Sequence, residues 1–270
     1  MTKTSLIHSL AKAACLVSLM ALTVPASAAR FWDTTNYREP AVTQSGRIEW
    51  AWDGGKKLAV GVPATVHYSE GGAPRVVITG PDDMLRRVRF GEGNIVMDND
   101  GYFSWNHDRL DITVTGVPLD TFIVSGSGKM LLGKLRRDNL TINVSGSGAV
   151  EADASVKGDA DLRVSGSGHI TFGTLDARNT VARISGSGTI DGRGRTDTLD
   201  LNMSGSGRFA DIASTRANVT MSGSGRATIA AREEAHVHIS GSATVRMPAK
   251  PPRLDVSVSG SGHVVTADSD

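Results

Sequence analysis

The hydrophobic-Ser-Gly-Ser-Gly core recurs down the second half of the chain, and it restricts the fold more than any other feature. The serine that opens each copy stands at 125, 145, 165, 185, 204, 222, 240 and 259. The intervals are 20, 20, 20, 19, 18, 18 and 19 residues. Seven copies read SGSG, and the copy at Ser240 reads SGSA. A Ser-Gly run alone reads as a flexible linker. These runs are instead flanked by residues that alternate in polarity. Counting from the opening serine as position 0, position −1 is Val124, Val144, Val164, Ile184, Met203, Met221, Ile239 and Val258. Positions −3 (Phe122 to Val256) and +5 (Met130 to Val264) are apolar in every copy. Odd positions share one side of a strand. The pattern predicts strand through or beside the motif, with glycines facing in and serines facing out if the alternation is unbroken.

The glycines at +1 are Gly126, Gly146, Gly166, Gly186, Gly205, Gly223, Gly241 and Gly260. They have no exception, so smallness and a positive φ are both expected there. Ala243 occupies +3 in the seventh copy, so +3 needs smallness more than a special backbone angle. The competing account is a hairpin turn at each motif. The segments after the motif are too varied to be a matching antiparallel partner. A unit of 18 to 20 residues cannot bury its own apolar face, whereas stacked units can. A second apolar spot follows the motif at Leu135, Val156, Leu175 and Ile212. The expected fold is all-β: a parallel β-helix, or β-solenoid, of eight SGSG coils over residues 121–265. It should be right-handed, as parallel crossovers prefer. Stacking at about 4.8 Å per coil makes a column about 38 Å long.

Before the repeats the composition changes. All four tryptophans (Trp32, Trp50, Trp52, Trp105) and all three tyrosines (Tyr37, Tyr68, Tyr102) precede residue 106. KLAVGVPATVHYS, RVVITG and RLDITVTG read as strands, and the bulky rings suit a cap over one end of the solenoid core. Residues 30–55 read as a leader with little core of its own. Residues 1–29 read as a secretory signal peptide: Lys3 and Lys12, the apolar run Cys15–Val24, then Pro25-Ala26-Ser27-Ala28-Ala29. The apolar run is shorter than the roughly 20 residues a membrane span needs. Cys15 is the single cysteine and leaves with the signal. The mature net charge becomes 27 − 28 = −1, which argues against a globally basic nucleic-acid binder. The expected location is the periplasm or the extracellular space, with no membrane-spanning segment in the mature chain.

The stretches LAVGVPATVHYSEGGAPRVVITGPDDMLRRVRFGEGNIVM and RLDITVTGVPLDTFIVSGSG, with the VSGSG ladder, carry a resemblance to the GIN domain family, the head of auto-transporter adhesins. It extends over Lys56–Val265, and residues 56–270 are read as one GIN-type domain. The resemblance implies a pectin-lyase-like β-helix without catalytic residues and a role in adhesion. Only His263–Asp270 follow the last motif. With no translocator barrel there, the expectation is a head lacking its own exporter.

Conventional sites are poorly supported. SGSGKM at 125–130 lacks the Ser/Thr and the following helix of a phosphate-binding loop. His236 and His238 are two ligands short of a tetrahedral metal site. Sixteen near-equivalent serines make none of them a distinct nucleophile, and no cofactor is expected. One pattern stands out among positions −2 and +4. Lys129, Arg163, His169, Arg183, Arg208, Arg226, His238 and His263 would form a hydroxyl-lined, mildly basic face, with acids such as Asp161, Asp200, Asp255, Glu151 and Asp191 expected elsewhere. Such a face suits an anionic polysaccharide or another cell-surface component. It also suits an ordinary solvated sheet. Three functions stay open: a non-enzymatic adhesin-like or polysaccharide-binding scaffold of the bacterial envelope, a polysaccharide lyase or hydrolase on the same fold, and a module that assembles end to end into a homo-oligomer.

Overall fold

A computed structural model describes residues 37–52, 54–98 and 109–267. The signal peptide, Trp32, Tyr102 and Trp105 lie outside the described residues. The chain is nearly all-β, with about eight turns of β-solenoid. Each coil is named here by its motif, from coil 1 at Ser125 to coil 8 at Ser259.

Successive coils pair in parallel and in register. Leu140–Gly146 lies on Thr121–Gly126 with Val144 against Val124 and Gly146 against Gly126. The same alignment carries Ser165 onto Ser145, Ser185 onto Ser165, and so on to Ser259 on Ser240. The apolar alternation explains the core. Val144, Val164, Ile184, Met203, Met221 and Ile239 are all buried, as are Met130, Val150, Ile170, Ile190 and Phe209. The later apolar spots at Leu135, Val156, Leu175 and Ile212 are buried too. Coil 8 has a neighbour on one side only among the described residues, and its Val256 and Val258 are 41% exposed.

The motif is a corner. Strand breaks at +2 and +3 and resumes at +4, as between Gly146 and Ala149. No antiparallel pairing crosses it, so it is not a hairpin. The expected inward direction of both glycines holds for one of them. At +3, Gly148, Gly168, Gly188, Gly207 and Gly225 are buried, as is Ala243. At +1 the glycines lie at the surface, with φ between +88° and +115°. The turn rotates the backbone there, so parity does not carry through. A Cβ on Gly186 would sit 2.7 Å from the carbonyl oxygen of Gly166 one coil below. That approach lets Ser187 N donate to Gly166 O at 2.9 Å and Thr189 N to Gly168 O at 3.0 Å. The corner's backbone groups are satisfied by the neighbouring coil, which is possible only without a side chain.

The solenoid continues one coil below the first motif. Lys57–Val60 pairs in parallel with Thr121–Gly126, and Ala64–Ser69 with Lys129–Arg137. The registers Val60 on Val124 and Thr65 on Lys129 put Gly61-Val62-Pro63-Ala64 where SGSG stands above. Beyond this coil the sheet changes character. Leu110–Thr115 pairs in parallel with Ala64–Ser69 but antiparallel with Arg75–Thr79. Arg47–Ala51 and Val42–Gln44 follow, both antiparallel. The segment read as a leader therefore contributes core. Ile48, Trp50 and Trp52 are buried, and both indoles contact Phe90 at 5.7 and 5.5 Å between ring centres. Each indole N–H finds a carbonyl, Arg38 O for Trp50 and Gly54 O for Trp52. The hydrophobic count of that segment was too low to reveal this, because three large side chains do the covering.

Candidate functional site

The corner decides what can act together. Positions −6 to 0 lie on one sheet, face A, and positions +4 to +6 on the next, face B. Arg163, Arg183 and His238 stand on face A. Lys129, His169, Arg208, Arg226 and His263 stand on face B. The eight residues expected on one surface are thus divided between two.

Face A also carries acids, against expectation. Position −4 has the same parity as −2, so Asp161 projects beside the arginines. Arg163 makes a two-pronged contact with it, Nε to Oδ1 at 3.0 Å and Nη2 to Oδ2 at 2.6 Å. Arg183 reaches the same carboxylate at 3.3 Å. Arg163 and Arg183 are directly opposite in the ladder, and like charges so placed repel. Asp161 offsets that repulsion. Asp161→Asn should lower the unfolding free energy by about 0.5–1 kcal/mol at low salt, and the loss should shrink in high salt. A salt-independent difference in urea midpoints would contradict this account. Similar compensation recurs elsewhere: Lys129 pairs with Glu151 one coil up at 2.7 Å. A shallow groove of about 520 Å³ runs along face A between Asn143, Arg163, Arg183 and Asn202 on one side and the serine column on the other.

Near the far end, Glu234, His236, Arg253 and Asp255 form an exposed network that single-residue inspection of the sequence missed. The in-register pairing of His236 with Asp255 and of Glu234 with Arg253 creates it. His236 Nε2 lies 3.2 Å from Glu234 and Nδ1 3.5 Å from Asp255. The Arg253 hydrogen bond holds the Glu234 carboxyl below the usual carboxylate range. Both imidazole nitrogens already face carboxylates, so neither is free to activate a nucleophile in this arrangement. Among the described residues no group of three or more His, Cys, Asp or Glu side chains is arranged to hold a metal ion. Nor is any helix there long and apolar enough to cross a membrane.

Face B differs in one place. A groove of about 470 Å³ over coils 5 to 8 is bounded by Arg208, Arg226, Arg246, Ser206, Ser224, Thr228, Thr244 and Val265. Arg208 and Arg226 are directly opposite.

A parallel solenoid with broad, ridged outer faces is the class of protein that this geometry defines. Residues 155–251 match the family described as "Putative auto-transporter adhesin, head GIN domain". The resemblance carried by the SGSG ladder is borne out over that stretch. No curated protein matches the chain. Among solved structures, a "Putative lipid binding protein" from Parabacteroides distasonis superposes with a TM-score of 0.72 at 20% identity, covering 87% of this chain and 98% of that one. A "putative adhesin" from Parabacteroides merdae gives 0.72 at 20% identity, covering 82% and 95%. Another from Parabacteroides distasonis gives 0.69 at 19%, covering 82% and 96%. At these identities the likeness is one of fold.

Proposed function

We propose that this chain is an exported, non-enzymatic, adhesin-like head of the bacterial envelope that binds a polymeric surface component, an anionic polysaccharide, along its outer faces. One observation carries the reading: the outward positions of the motif strand recur in register from coil to coil, as in the serine column from Ser145 through Ser165 to Ser185. Such a column repeats chemically similar groups at about 4.8 Å. A ligand that repeats along its own length can meet several of them at once. The adhesin description of the matching family supports the same reading, as an analogy rather than a physical argument. The enzyme alternative has less support, since the His236 network is exposed and its ring nitrogens are engaged.

A lattice binder gains from length. Oligosaccharides of increasing length from one acidic polymer should bind the purified chain with steeply rising affinity, because each added contact is intramolecular once the first is made. Surface-plasmon measurements over such a series would show it. Affinity that is flat with length, or no retention on any acidic polymer, would overturn the proposal.

A further inference from the structure

We propose that the face B groove over coils 5 to 8 is a site for a tetrahedral oxyanion ester, a phosphate or a sulfate, held by Arg208, Arg226 and Arg246. The argument deepens the reading above, but it starts from a different observation, an uncompensated repulsion. Arg208 lies directly opposite Arg226, and Arg246 lies opposite Thr228, one coil up and two residues along from Arg226. Like charges directly opposite in a ladder are destabilising. On face A the equivalent pair, Arg163 and Arg183, shares Asp161. On face B none of the three arginines has a carboxylate within ion-pair distance among the described residues, nor any other polar partner for its guanidinium. Asp211 on coil 5, and Asp191 on coil 4 beneath it, make no ion pair with them. A local rule broken without a compensating contact marks a place where function, rather than folding, selects the residue.

The chemistry around the three cations is specific. Ser206, Ser224, Thr228 and Thr244 line the same groove, adding hydroxyl donors that carry no charge. A guanidinium offers a planar fork that grips oxyanions through two parallel hydrogen bonds. A carboxylate has two oxygens and is served by one or two forks. Three forks and several hydroxyls match an ester with three terminal oxygens. A soluble polysaccharide and a lipid headgroup can both present that group. The groove recognises the shared ester.

The test begins with inorganic phosphate and sulfate as probes, added to the full chain at constant ionic strength against chloride. Both should raise the thermal midpoint of the parent protein. Arg226→Thr copies the residue that coil 7 carries in the same position, Thr244. It should be at least as stable as the parent without the anion, because it removes a repulsion, and should lose the anion-dependent rise. Arg163→Thr on face A should keep the rise. Arg226→Lys keeps the charge without the fork and should weaken sulfate binding roughly tenfold by calorimetry. It also serves if the threonine variant does not fold. No rise in the parent, an equal rise in Arg226→Thr, a loss of the rise in Arg163→Thr, or an anion-free Arg226→Thr less stable than the parent would each overturn the site.

The source is then read with dextran sulfate against neutral dextran, and with phosphatidylcholine vesicles with and without phosphatidic acid. Arg226-dependent retention on dextran sulfate assigns the ester to a polysaccharide, and on the acidic vesicles to a lipid. Retention on neither, with the inorganic ions still bound, overturns the ester in favour of a free ion. Polymer binding that ignores Arg226 removes this site and leaves the polymer reading standing. Arg226-dependent retention on the acidic vesicles, without binding to any polysaccharide, does the reverse.

Discussion

Gly223→Ala should destabilise the solenoid by about 3–4 kcal/mol, whereas Gly225→Ala, two residues further on, should cost only about 1 kcal/mol. The two glycines belong to one motif and receive the same added methyl group. They differ in what that methyl meets. At Gly223 φ is +109°, and the new Cβ would lie 2.5 Å from the carbonyl oxygen of Gly205. That oxygen accepts a hydrogen bond from Ser224 N at 2.9 Å, so the coils cannot part there without losing it. The left-handed backbone adds roughly 1–2 kcal/mol for any residue with a Cβ, and displacing packed backbone adds about 1–3 kcal/mol. At Gly225 the nearest atom is the Met203 sulfur, the mobile end of a flexible side chain, with Gly207 O next at 2.9 Å. Moving the thioether, together with the small backbone shift that the Gly207 oxygen requires while it accepts from Arg226 N at 3.0 Å, should cost about 1–2 kcal/mol. Alanine returns about 0.4–1 kcal/mol by restricting the unfolded chain. Nature has made this substitution one coil up, where Ala243 is fully buried. Urea unfolding followed by far-ultraviolet circular dichroism should separate the two variants clearly. Equal midpoints would mean that the corner is soft and that the close glycine stacking carries no strain.

That contrast also marks how far the sequence reaches. The core was legible because alternation is a direct consequence of strand geometry. Val164, Ile184 and Met203 could be assigned to the interior from spacing alone, and all are buried. The different demands at +1 and +3 were legible from a single exception, Ala243. What spacing could not give was the angle of the corner. A chain that turns at each motif carries positions −2 and +4 onto different sheets, so Arg163 and Arg208 share a parity but not a face. Parity likewise placed Asp161 on the arginine side all along, yet counting positions −2 and +4 alone hid it. The coil built on Lys57–Val60 was invisible as a repeat, because Gly61-Val62-Pro63-Ala64 performs the same turn without the motif. The face B groove needed register as well as pattern: Arg246 sits at +6 and enters the site only because its coil stacks on that of Arg226.

The junction between cap and repeats should depend on Arg137 more than on any other exposed-type residue, and Arg137→Ala is expected to cost about 2–3 kcal/mol. The side chain is 9% exposed, an unusual degree of burial for arginine. Its Nε donates to Leu119 O, its Nη2 donates to the Tyr68 hydroxyl at 3.2 Å, and it pairs with Glu70. Tyr68 in turn donates to Val117 O and accepts from Leu119 N at 3.0 Å, and its ring packs on Phe122 at 5.1 Å. Burial pushes the tyrosine hydroxyl above its ordinary range, which keeps the proton it needs as a donor. One guanidinium thereby ties the end of the strand Lys129–Arg137 to the chain before coil 1 and to the coil beneath it. Truncation leaves the Leu119 carbonyl with one partner fewer and exposes Glu70 to the loss of its counter-charge. Glu70 is 39% exposed, so water recovers part of that term, and the estimate sits below the range for a fully buried pair. Arg137→Lys keeps the charge but not the fork and should lie between parent and alanine variant. Because repeat proteins can unfold piecewise, the loss should be local. Tryptophan emission comes from four residues that all precede the repeats, Trp50 and Trp52 of the cap among them, and it should shift at lower urea than the far-ultraviolet signal of the coils in Arg137→Ala. Coincident and unshifted transitions would show that the aromatic packing of the cap holds the junction without the arginine.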